Sequence, residues 1–332
     1  MSKRYIAVVS AVALALILSF VFVSAFTHEA DLVSGKTAAQ SEKADKQPEE
    51  LKSGHTTDRN SEMEIEIEPA PFLHDNSFNN PDRAMEIPVL MYHHFDENIR
   101  TGTIADPTAF YEQMKILKEA GYTSVTTDDV IADFKGERRL PQKPVLITLD
   151  DGYESNYTYV FPILKELNMK ATIFIITDFL ENPDQHPSPY SKLTWDEVKE
   201  MSDSGLVSFQ SHTDNRHSRR INGVENMDAE YADLFLQDLL RSKRILEAKL
   251  DKPVTAFSYP NGEYSASSEQ VVKEAGFDMS LSTNCAIFDT GQHSLYLVNR
   301  INIHGDLPAE SILQSIDKYK TAAYQASSVS TE

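Results

Sequence analysis

Pro144-Val145-Leu146-Ile147-Thr148-Leu149-Asp150-Asp151-Gly152 is the stretch on which the fold turns. Its first six residues form a short apolar run of the kind that is buried on both faces in a parallel sheet. Two carboxylates follow where the strand gives way to its loop, and in barrels of alternating strands and helices that end is where active sites are built. Neighbouring carboxylates repel and are costly to keep ionised unless a cation or strong donors compensate them. The pair therefore asks for a metal, with a solvated Asp-Asp turn or helix cap as the competing reading.

Further strand-like runs lie on both sides, at 88–91, 124–126, 171–176, 207–210, 255–259, 278–281 and 296–303. Between them, Phe110, Met114 and Leu117 mark a helix face that ends at Gly121, and Val160, Ile163 and Leu167 mark another. Thr194-Trp195-Asp196-Glu197 reads as a capping box opening a helix that stops near Gly205, and a long helix is expected from about Asp228 to Leu250. Short strands alternating with amphipathic stretches build a parallel sheet or barrel covered by helices. Seven or eight strands in this order predict an α/β fold with a distorted (β/α) barrel rather than an open doubly wound sheet.

The second chemical feature is Ser211-His212-Thr213-Asp214-Asn215-Arg216-His217, directly after the strand-like run Val207-Ser208-Phe209-Gln210. Histidines five apart differ by about 140° on a helix, so they do not share a helical face. From a strand end and its loop they can converge. Two imidazoles and one carboxylate make a three-ligand catalytic zinc site with a position open for water. Taken singly, each histidine reads equally well as a hydrogen-bonded or exposed residue.

Together, Thr148-Leu149-Asp150-Asp151-Gly152 and His212 through His217 resemble the first two motifs of the polysaccharide deacetylase family, carbohydrate esterase family four. The resemblance covers about residues 87 to 305, and the five-residue histidine spacing is more like the branch acting on poly-N-acetylglucosamine. It implies a distorted (β/α) barrel, Asp150 as general base, and Asp151, His212 and His217 as ligands of a divalent metal, zinc or another transition metal. Phe257-Ser258-Tyr259-Pro260-Asn261-Gly262 resembles a third motif but departs from it. Many members carry arginine where Ser258 stands and tyrosine where Asn261 stands. Tyr259, Pro260 and Asn261 are expected to line the substrate. Arg300 joins them as the residue able to replace the missing positive charge from a later strand, against a plain surface salt bridge. Met91-Tyr92-His93 resembles the opening motif of the same branch and makes His93 the expected general acid, with His304 in Ile303-His304-Gly305 as its competitor.

The rest of the chain bears on location. After Lys3-Arg4, residues 6–26 are uncharged, and 21 helical residues span about 31 Å, enough to cross a bilayer with the basic flank inside. Residues 1–26 are thus expected to be a signal anchor or a cleaved signal peptide, with everything beyond extracytoplasmic. Residues 27–85 carry 13 acidic and 6 basic residues and few large apolar groups, which predicts a flexible acidic linker, although 62–68 alternates like a strand. The catalytic domain is expected over 86–320 and a tail over 321–332.

Cys285 is the single cysteine, so no intrachain disulfide forms. The formal net charge of −20 disfavours nucleic acid as a partner. The expected partner is an N-acetylated polysaccharide, met by a monomer that touches the membrane only if the N-terminal helix is retained. Amide hydrolysis on that polymer would release acetate. Two other functions compete: metal-dependent phosphoester hydrolysis, for which the motif loops offer only Arg216, Arg219 and Arg220, and an inactive wall-binding module, to which the missing third-motif arginine gives weight.

Overall fold

A computed structural model describes residues 85–217, 229–292 and 294–329. The expected export or anchor segment 1–26 and all but the last residue of the acidic linker lie outside these residues, as do Arg219 and Arg220. Among the described residues no helix is long and apolar enough to cross a membrane.

The chain is an α/β fold around a curled parallel sheet. Its centre is β6 (Pro144–Leu149), whose six residues are all buried. One edge of β6 takes β2 (Val89–Tyr92), and the other takes first β5 (Thr123–Val125) and then β7 (Ala171–Ile175) along its length. Beyond β7 follow β8 (Val207–Ser211), β9 (Ala256–Ser258) and β10 (Met279–Leu281), while β12 (Ile301–Asn302) lies outside β2, every pair parallel. One segment touches both edges of this curl: Val298 bridges Leu281 on β10, and Ile301 and Asn302 pair with Leu90 and Met91 on β2.

Strand parity then sorts the core. Val145, Ile147 and Leu149 pack with the helices, whereas Leu146 joins Val89, Phe174, Ala256 and Met279 in a second cluster on the other face. Leu146, Thr148 and Asp150 therefore point the same way, which carries Asp150 to the end of that inner face. Truncating Ile147 to alanine would cost about 2–5 kcal/mol by the usual cavity rule.

Several helices begin where their sequences supply caps. α1 (Pro107–Glu119) has Asp106 accepting from Thr108 N and proline at its first turn. α2 (Thr127–Phe134) opens on a reciprocal Thr126–Asp129 capping box. α3 (Phe161–Leu167) follows a wide π turn over Asn156–Val160, and α4 (Thr177–Glu181) is a single short stretch after β7. α5 (Trp195–Asp203) starts on the expected Thr194–Glu197 box, and α6 (Ala229–Leu250) is the expected long helix. α7 (Ala266–Glu274) packs beside it, and α8 (Ile312–Val329) runs past residue 320 into the segment read as a tail.

Two expectations change. The run 296–303 is not one strand: Leu297 turns into the left-handed region at φ 59°, and only Ile301–Asn302 joins the sheet. Four two-residue strands, β1 (Glu86–Ile87), β3 (His94–Phe95), β4 (Ile104–Ala105) and β11 (Phe288–Asp289), are too short to leave a periodic signal.

Candidate active site

Asp150 and Asp151 leave β6 together but face different partners. The Asp150 carboxylate is buried and held by Arg300, whose Nη1 and Nη2 donate to Oδ1 at 2.9 Å and Oδ2 at 2.8 Å. Arg300 is itself fully buried, with Nε donating to Ser282 O at 2.8 Å. Ser258 Oγ adds a longer contact of 3.3 Å to Asp150 Oδ2. Burial alone would push this carboxyl up, but the guanidinium outweighs it and holds Asp150 below the usual carboxylate range. Asp150 is thus an ionised, fixed acceptor.

Asp151 takes a left-handed backbone, φ 73°, followed by Gly152 at φ 62°. This turn points its carboxylate at the loop after β8, where His217 Nε2 lies 3.1 Å and His212 Nε2 3.4 Å from Oδ1. Ligand atoms of the three residues all fall within 4.8 Å of one another. Asp151 Oδ1 is buried and has no aligned hydrogen-bond donor. His212 Nδ1 lies 2.7 Å from Ser258 O, an acceptor that fixes the proton on Nδ1 and leaves the Nε2 lone pair free. An orphaned carboxylate oxygen and a free imidazole nitrogen facing one point are what a divalent cation requires. The three residues form a possible metal site.

The loop between the two histidines is anchored from below. Asp238 on α6 accepts from Asp214 N and Asn215 N, both at 2.9 Å, while Asp214 accepts from Thr177 Oγ1 and Arg241 Nε, both at 2.6 Å. Burial pushes Asp238 up to about 6 despite these two backbone donors.

His93 follows β2 and sits within the field of both aspartates. Burial lowers its imidazole below the ordinary value, against the opposing pull of Asp150 and Asp151. Its Nδ1 is buried without a partner. His304 differs: it is exposed and its Nδ1 lies 2.8 Å from Asp306. His94 is buried, 2.9 Å from Ser155 Oγ and packed by Tyr153 and Tyr190.

The expected substrate-lining residues divide. Tyr259 is fully buried and its hydroxyl donates to Glu269 at 3.0 Å, so its side chain belongs to the core. Arg300 is neither a surface salt bridge nor exposed to a substrate: it is fully buried, with both Nη atoms on Asp150 and Nε on Ser282 O. Pro260 is buried, while Asn261 is exposed in a left-handed turn at φ 56°. Any side chain at Gly262 would collide with Thr283, which fixes the turn.

Sequence reading missed Lys192 and Tyr153. Lys192 Nζ donates to Asp151 O at 3.1 Å and lies 3.4 Å from the centre of the Tyr153 ring. Burial lowers its amine to about 8, against the pull of Asp151. Lys192 also walls a cavity of about 640 Å³ with Phe179, His186, Tyr190 and Trp195. The capping box at Thr194 marked the helix just beyond, but nothing local tied Lys192 to Asp151, 41 residues earlier.

Residues 137–280 match the family model described as polysaccharide deacetylase. YxkH of Bacillus subtilis, named for the same family, is 30% identical over 223 residues, covering 65% of this chain and 72% of YxkH. The chain belongs to the polysaccharide deacetylase family. Among other members, the poly-beta-1,6-N-acetyl-D-glucosamine N-deacetylase of Escherichia coli K12 is 26% identical over 212 residues. That match covers 56% of this deacetylase-family chain and 32% of the E. coli protein, so the chain spans about a third of the longer relative. The Streptococcus pyogenes deacetylase PplD, solved in complex with acetate, shares the fold with a TM-score of 0.59 at 28% identity, covering 70% of this chain and 98% of PplD. Arg300 lies beyond the matched residues of the family model, so the partner of Asp150 comes from outside the family's matched segment here.

Proposed function

We propose that this chain removes N-acetyl groups from an N-acetylhexosamine polymer of the cell wall or an exopolysaccharide, releasing acetate. The observation that carries this reading is the meeting of Asp151, His212 and His217 beside the ionised Asp150. The E. coli relative's name, which specifies poly-beta-1,6-N-acetyl-D-glucosamine, favours that polymer as substrate.

Asp151, His212 and His217 would hold the cation, and two imidazoles with one carboxylate suit zinc. When bound, a divalent cation acidifies water and polarises the acetyl carbonyl, which supplies the nucleophile and steadies the oxyanion. Asp150 accepts the proton of the attacking water. Arg300 keeps that acceptor ionised and fixed in direction. His93, in its imidazolium form beside Asp150 and Asp151, gives a proton to the departing sugar nitrogen, and the neutral imidazole left behind regains a proton before the next cycle. Asn261, exposed on its turn, contacts the polymer, and the cavity beside Lys192 leaves room for a neighbouring sugar.

The same reading extends to the whole chain. The curl closes as a distorted deacetylase barrel over 86–320. The uncharged segment 6–26 exports or anchors it, and the acidic composition of 27–85 suits a spacer that lets an extracytoplasmic domain reach its polymer.

Acetate release by the full chain from defined oligosaccharides tests the reading. β-1,6-linked N-acetylglucosamine oligomers should yield acetate. Phosphate release from phosphoesters with no acetate from any glycan would refute it.

A further inference from the structure

Asp151 carries the most constrained backbone of the three candidate ligands. Left-handed residues other than glycine cost about 1–2 kcal/mol and persist where the surroundings over-determine them. Here the surroundings are a second strand of chain. Residues 191–193 lie antiparallel against 152–154, with Glu154 N donating to Ser191 O and Leu193 N to Gly152 O, both at 2.9 Å, and Tyr153 facing Lys192 as a bridge pair.

Lys192 completes this splint from its side chain. Its ammonium donates to Asp151 O at 3.1 Å and rests 3.4 Å from the centre of the Tyr153 ring, which pins its own position. The carbonyl it holds and the carboxylate aimed at His212 and His217 belong to one residue. Fixing the peptide plane after Asp151 therefore fixes where Oδ1 points, 3.1 Å from His217 Nε2 and 3.4 Å from His212 Nε2.

We propose that Lys192 is a positioning residue for the metal centre, holding the Asp151 turn in the shape that lets its carboxylate complete the three-ligand site. The inference rests on the reading of Asp151, His212 and His217 as metal ligands. Charge and geometry make opposite demands on it. A cation beside the site repels a divalent ion, so losing the charge alone would tighten metal binding. Losing the splint would weaken it. The sign of the change therefore tells positioning from electrostatics.

The test is the affinity of the full chain for Zn²⁺ ions, measured by competition with a chromophoric chelator, in the wild type, Lys192→Met, Lys192→Arg and Asp151→Ala. Support for an outer partner of a metal ligand is typically worth 10- to 100-fold in affinity. Lys192→Met should thus bind Zn²⁺ about 10- to 100-fold more weakly with its thermal unfolding still cooperative, and Lys192→Arg, which keeps a charged donor, should stay within about threefold of wild type. Equal or tighter binding in Lys192→Met, with Asp151→Ala impaired, would overturn the role of Lys192 alone. Wild-type affinity in Asp151→Ala would overturn the metal reading and this inference with it. If Lys192→Met does not fold, Lys192→Gln, shorter and uncharged, carries the same two outcomes.

Discussion

Arg300 places one guanidinium nitrogen on each carboxylate oxygen of Asp150, at 2.9 and 2.8 Å, and both residues are buried. Removing one partner of a buried ion pair strands the other charge, at a cost of about 3–5 kcal/mol. Arg300→Met should lose that much stability in urea unfolding along with its activity. Adding Asp150→Asn to Arg300→Met should recover part of the stability, because the stranded charge is gone. A loss below about 1 kcal/mol in the single variant would mean that the pair is not the clamp described here.

Asp238 gives a pH signature opposite to that of a salt-bridged carboxylate. Its folded value of about 6 lies above the ordinary 3.8, so its stabilising contribution is full below 3.8 and lost as pH rises through 6. The gap of roughly two units corresponds to about 3 kcal/mol at most. The unfolding free energy of wild type minus that of Asp238→Asn should therefore fall between pH 4 and pH 6.5 or so. A difference that stays flat or grows over that range would contradict the burial argument.

The sheet and the three candidate ligands were legible because their signals are local. An apolar run ending in two aspartates, and a strand followed by two histidines, each fit within one stretch of chain. Arg300 could only be guessed at, since its partner is 150 residues away and the register that unites them is set by the segment pairing both edges of the curl. Tyr259 misled for a related reason: a tyrosine beside a motif looks like a binding group, but parity turns it into the core toward Glu269. The break at Leu297 was invisible because nothing in its side chain announces a left-handed backbone. Lys192 was silent because its work is done on a backbone carbonyl.

His93, rather than His304, should protonate the leaving nitrogen. Acetylated amines need that proton, whereas esters with good leaving groups need it far less. His93→Ala should therefore slow an N-acetyl substrate at least tenfold more than an activated acetate ester, within the roughly 100- to 10,000-fold range of acid–base catalysis. Equal losses on both substrates would remove His93 from this role, and a selective loss in His304→Ala would transfer it.

His217 is the most exposed of the three candidate ligands, with its side chain 24% accessible, and its Nε2 lies 3.1 Å from Asp151 Oδ1. His217→Ala should fold as wild type yet lose most bound metal by elemental analysis. Full metal content in that variant would show that the five-residue spacing does not define the site.

The central claim is that Asp150 accepts a proton during hydrolysis beside a cation held by its neighbour Asp151. The most direct measurement is acetate release from an N-acetylglucosamine oligomer by wild type, by chelator-treated wild type and by metal-loaded Asp150→Asn. The account predicts turnover in the first, its loss on chelation with recovery when metal is restored, and a loss of roughly 100-fold or more in the variant at unchanged metal content. Turnover that survives chelation, or an Asp150→Asn rate within about threefold of wild type, would contradict it.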